Sequence, residues 1–76
     1  MNNQRRKRLS KINDQLETLR TELEEVMEQE QEAFDNLPES LQQSEKGERM
    51  EEIISTLEDA TCNLEDAINN LNEVQE

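Results

Sequence analysis

The sequence predicts an all-α fold, an antiparallel two-helix coiled-coil hairpin that dimerises into a four-helix bundle. Three observations lead there. Apolar residues recur at alternating spacings of three and four along two long stretches, as in an a/d seam. The only proline and the only glycine of the 76-residue chain lie between those stretches. The two seams also match when the second is folded back on the first.

The first helix is placed at about 4–35. Its seam runs Leu9, Ile12, Leu16, Leu19, Leu23, Val26, Ala33 and Leu37, with one charged interruption at Glu30. The connector is placed at about 36–44. Pro38 disfavours helix at Leu37 and suits the first turn of a new one, so a short helical turn is expected at 38–42. Ser44 is the expected N-cap of the second helix, at about 45–75. That helix repeats the seam with Met50, Ile53, Leu57, Ala60, Leu64, Ala67, Leu71 and Val74, in three successive heptads, ISTLEDA, TCNLEDA and INNLNEV. Residues 1–76 thus make one domain.

Folded antiparallel, the seam pairs Leu9 with Val74, Ile12 with Leu71, Leu16 with Ala67 and Leu19 with Leu64, and the numbers of each pair add to 83. Large residues then face alanines in several layers, which allows interdigitation. Such a thin rod buries little on its own. The e positions Met27, Phe34, Ile54 and Ile68 are apolar, whereas the g positions Gln15, Glu22, Gln29, Arg49, Thr56, Asn63 and Asn70 are polar. The expectation is an apolar e flank that meets a second copy, giving a homodimer, or docks on a different protein.

Composition narrows the function. Net charge is −12, hydrophobic residues make up 30% of the chain, and there is a single Phe with no Trp or Tyr. No apolar run exceeds two residues, so neither a transmembrane helix nor a secretory leader is expected, and the expected location is the cytoplasm. With no histidine and one cysteine, neither a zinc site nor an internal disulfide is anticipated. No Gly-rich phosphate loop and no Asp-rich calcium loop occurs. The chain is expected to be non-enzymatic and to carry no cofactor. Acidic outer faces also argue against anionic membranes.

Residues 1–20 carry six basic against two acidic residues, and residues 21–76 carry 18 acidic against two basic. The basic cluster is Arg5, Arg6, Lys7, Arg8 and Lys11. One reading clamps it to the C-terminal end of the second helix, near Glu73 and Glu76, where cations complement the helix dipole. The other sets it on nucleic acid, which is not the favoured partner of so acidic a chain. Glu24, Glu28, Glu32 and Asp35 on the first helix, with Glu51, Glu52, Glu58, Asp59, Glu65 and Asp66 on the second, form an acidic outer face. This face either imitates the phosphates of nucleic acid toward a partner protein with a basic surface, or is a solvated exterior.

Three smaller features complete the reading. Glu30 at an a position faces Ile53 as a register-fixing polar residue, with Arg49 within reach. Cys62 at f is an outward thiol without cationic neighbours to activate it. In FDNLPESL, Phe34, Leu37 and Leu41 are expected to cap the core at the connector end, with Asp35, Asn36 and Ser40 serving the helix termini.

The acidic stretch from Glu24, then Phe34-Asp35-Asn36-Leu37-Pro38-Glu39, then Ser44-Glu45-Lys46-Gly47-Glu48 and the Leu-Glu-Asp heptads resemble short acidic helical proteins of phages and mobile elements of Gram-positive bacteria. The resemblance spans most of the chain and supplies no site residues. It implies a bacterial host cell and an inhibitor of a host defence or nucleic-acid-handling protein, of the anti-CRISPR or anti-restriction class. A self-assembling structural or adaptor dimer, and a nucleic-acid accessory protein using the basic N-terminus, stand as the alternatives.

Overall fold

The computed structural model describes residues 1–75. It holds three helices, α1 (Asn3–Asp35), α2 (Glu39–Gln42) and α3 (Glu45–Val74), and no strand among the described residues. The molecule is elongated, with Cα extents of 58 × 14 × 13 Å. None of its helices is long and apolar enough to cross a membrane.

Local chemistry sets the helix ends. Asn2 caps α1, its Oδ1 accepting from the Arg5 amide at 2.9 Å. No glycine or proline interrupts the 33 residues that follow. The helix stops at Asn36, whose N–H still donates to Glu32 O at 3.0 Å, just before the Leu37-Pro38 pair. Ser44 caps α3, accepting from the Gly47 amide at 3.4 Å. Glu45 and Glu48 then sit in the first turn, where negative charge complements the helix dipole.

The expected helix-end role of Asp35, Asn36 and Ser40 falls largely to another residue. The Nε2 of Gln42 donates to Phe34 O and to Leu37 O, each at 3.1 Å, and so serves carbonyls at the end of α1. The Asp35 carboxylate instead accepts from Gln31 at 3.0 Å. Gln42→Ala is expected to lower stability by about 1 kcal/mol, measured by thermal melting, because these carbonyls are part-buried and lose a shared donor.

Arg6 Nη1 donates to Gln75 O at 2.8 Å, and Asn13 Nδ2 donates to Asn72 Oδ1 at 2.8 Å. At the other end Phe34 and Ile54 line one groove. The long helices therefore run in opposite directions. The Asn13–Asn72 pair places residues whose numbers add to 85 at the same level, two more than the seam pattern suggested. Leu41, expected in the connector-end cap, is 43% exposed.

The helices are also rotated relative to the expected seam. On α1 the half-buried or buried residues are Arg6, Leu9, Asn13, Leu16, Arg20, Leu23, Met27, Glu30 and Phe34, the a and e lines, with Glu24 beside them at a b position. The d line is turned away, with Ile12 43%, Leu19 48% and Val26 50% exposed. On α3 the most buried line is also e, with Gly47, Ile54, Thr61 and Ile68. This corrects the assignment of Met27, Phe34, Ile54 and Ile68 as an open flank. Ile54 and Ile68 are 7% and 3% exposed and are the buried apolar core, while Met27 and Phe34 are half-buried. At the level of Ile68 the d line of α3 offers only Ala67, so turning e inward removes more apolar area from water there, while the leucines of the a line stay half-buried beside it.

Candidate functional site

The rotation gives the rod two unlike long faces. With e pointing at the neighbouring helix, the b and f positions border a groove on one side and the a and d positions lie on the other.

On the first side, Glu24, Glu28, Glu58 and Glu65 line a groove with Met27, Thr61 and Cys62. Toward the connector the same side continues through Gln31, Phe34, Glu51, Ile54, Ser55 and Glu58. Carboxylates from both helices thus border one trough with no cation among its lining residues. Thr61, at the back of the trough, is 7% exposed, and its hydroxyl donates to Leu57 O at 2.9 Å, so its polar group is satisfied. The structure brings together five of the ten expected acidic-face residues in this way. Glu32, Asp35, Glu52, Asp59 and Asp66 are exposed and border neither stretch of the trough. Two cations lie close to the set: Arg20 Nε is 3.8 Å from Glu24, and Arg49 Nη1 is 3.2 Å from Glu52. The Arg49–Glu52 pair is solvent-exposed and offsets little of the local negative potential, whereas Arg20 and Glu24 are half-buried and Arg20 offsets part of the Glu24 charge. Arg49 pairs with Glu52, not with Glu30.

On the opposite side, Leu19, Glu22, Leu23 and Val26 of α1 share an apolar groove with Leu64 of α3. The a and d lines of both helices continue this surface along the rod. Glu30 interrupts the lines themselves, Glu22 lies at the rim, and Asp14 lines a groove with Leu19.

The basic cluster divides. Arg6 reaches across to Gln75 O at the C-terminal end of α3, where a cation complements the dipole of α3 while opposing that of α1. Arg5 and Arg8 lie with Met1, Leu9 and Ile12 around a shallow surface, and Arg5, Lys7, Arg8 and Lys11 are exposed. No ion pair links the cluster to Glu73, and Glu76 lies outside the described residues. Cys62 is a free, exposed thiol. Among the described residues no group of three or more His, Cys, Asp or Glu is arranged to hold a metal ion.

Charge is segregated along the rod as well as around it. Residues 21–60, which include the connector, hold 14 acidic and two basic residues, so the connector half carries the whole net charge of −12. Residues 1–20 and 61–76 together are neutral, with six basic and six acidic residues.

Sequence reasoning missed Asn13 and Thr61, polar residues at the buried e line, and the roles of Gln42 and Gly47. The heptad e position was the available signal for the first two. No protein family, curated protein or solved structure matches the chain.

Proposed function

We propose that the chain is a non-enzymatic helical-hairpin module that binds a partner protein with a basic surface through its acidic side, in the manner of a nucleic-acid mimic. The observation that carries this reading is the trough in which Glu24, Glu28, Glu58 and Glu65 from both helices stand together without a lining cation. A cationic groove built for a phosphate backbone would meet there two rows of carboxylates on a rigid rod, and would gain by the same release of bound ions that drives nucleic-acid binding. The setting, a phage-type inhibitor of a host defence or nucleic-acid-handling protein in a bacterial cytoplasm, rests on the sequence resemblance alone.

The test is retention of a nucleic-acid-handling protein from bacterial lysate by the immobilised chain. Retention is expected to weaken by on the order of 10-fold for a fourfold rise in salt, to be displaced by duplex DNA, and to be lost when Glu24, Glu28, Glu58 and Glu65 are all replaced by Gln. Salt-independent retention, or equal retention by the neutralised variant, would remove the electrostatic reading.

A second reading, a self-assembling homodimer that forms a four-helix bundle, is favoured by a separate observation. Ile12, Leu19 and Val26 form an exposed line on the opposite face, 43–50% exposed.

A further inference from the structure

We infer that the open apolar face receives a second copy of this chain head to tail, with α1 lying antiparallel on α1 of the other copy and α3 on α3. The inference rests on the self-assembly reading and adds to it the face, the axis and the register.

Area comes first. The accessible surface is 5846 Å², whereas a compact monomer of 9.0 kDa would expose roughly 4,850 Å². The excess, on the order of 1,000 Å², is close to the roughly 800 Å² that each partner buries in a stable interface. On this face the exposed large apolar residues of α1 are Ile12, Leu19 and Val26. In α1 the e and a lines are buried or half-buried and the d line is exposed, which is how a helix at the corner of a four-helix bundle divides its apolar arc, whereas in α3 the a and d lines are both half-buried apart from the exposed Val74.

Charge then identifies the occupant. A chain of net charge −12 repels its own copy unless the meeting surfaces are neutral. The rim beside the open face is built from the g positions, where Gln15, Gln29, Thr56, Asn63 and Asn70 are uncharged and Glu22 and Arg49 carry one charge of each sign. The acidic trough lies on the far side. Lengthwise segregation fixes the axis: a two-fold parallel to the rod would stack one −12 half on the other, whereas a two-fold across the rod sets each acidic half against a neutral one.

The register is compatible with this axis. With a crossing two-fold, the d line of α1 pairs with itself about a centre between residues 22 and 23, Leu19 facing Val26 and Ile12 facing Ala33 of the other copy. The d line of α3 pairs about a centre between 63 and 64, Ala60 facing Ala67 and Ile53 facing Val74. One axis can serve both helices only if these centres are level. They are, to within about one residue or 1.5 Å, because the Asn13–Asn72 hydrogen bond levels residues whose numbers add to 85. Self-pairing centres recur every half heptad along each d line, so the register accommodates this axis without selecting it.

The test has two parts on the full chain. Sedimentation equilibrium is expected to give twice the 9.0 kDa chain mass, and the monomer mass for Leu19→Lys with Val26→Lys, with helical circular dichroism retained. Distance between spin labels on Ser40→Cys in a Cys62→Ser background, positions outside the open face, is expected to be about 50 Å, since the two connectors would lie at opposite ends. A dimer whose labels lie within about half that distance overturns the head-to-tail axis and leaves self-assembly standing. A wild-type chain that stays monomeric at every concentration overturns both, and assigns the face to a different protein.

Discussion

Replacing Gly47 by alanine is expected to destabilise the chain by about 2 kcal/mol, reversing the sign that the same change has in an ordinary helix interior. There, alanine gains about 1 kcal/mol over glycine. Here Gly47 is buried in the first turns of α3, and a Cβ would stand 2.6 Å from Leu41 O and nearer still to the Gln42 carbonyl. Both are backbone atoms, which cannot swing aside as a flexible side chain can. The connector would have to lift, disturbing the Ser44 cap on the Gly47 amide and the two hydrogen bonds from Gln42 to the end of α1. Overpacking of this kind costs about 1–3 kcal/mol, and loss of a cap about 1 more. In a domain of this size the thermal midpoint should drop by roughly 10 °C. A midpoint that rises would show that α2 does not sit so close over α3.

Ile68→Ala is the second large effect, expected to cost about 2–3 kcal/mol in urea unfolding. At 3% exposure Ile68 is the most buried apolar residue described, and with Ile54 it makes up the buried core. Were it the partner-facing flank residue that the heptad pattern suggests, truncation would barely change the unfolding of an isolated chain. The two placements therefore differ by a factor of order 30 in the folding equilibrium. The same substitution at Ile12, 43% exposed, should cost the lone chain far less.

Much of the element pattern was legible from residue order alone. The alternating threes and fours gave both long helices, and Leu37-Pro38 and Ser44 gave the boundaries between them, because capping and proline stereochemistry act within a few residues. The expected bounds, about 4–35 and 45–75, lie within a residue of Asn3–Asp35 and Glu45–Val74. The helical turn at 38–42 corresponds to α2. The end-capping role of Gln42 was not legible, since glutamine has no strong preference for such a place and its reach depends on where the chain returns.

The candidate site divides in the same way. That carboxylates would line the outside of the helices follows from their b, c and f positions. That Glu24 and Glu28 would share a trough with Glu58 and Glu65, apart from Asp59 and Asp66, depends on which way each helix is turned.

By itself, then, the sequence determined that this chain is two long helices around a short connector, acidic toward the connector and neutral toward its ends. Helix formation, capping and charge are properties of neighbours along the chain. Tertiary structure alone decided which apolar line faces inward, for three adjacent lines of α3 compete for one narrow contact. The contact takes the isoleucines at 54 and 68, the second at a level where the d line has only Ala67, and leaves the leucines of the a line half-buried beside them. With the e line turned inward, Ile12, Leu19 and Val26 are left in the open.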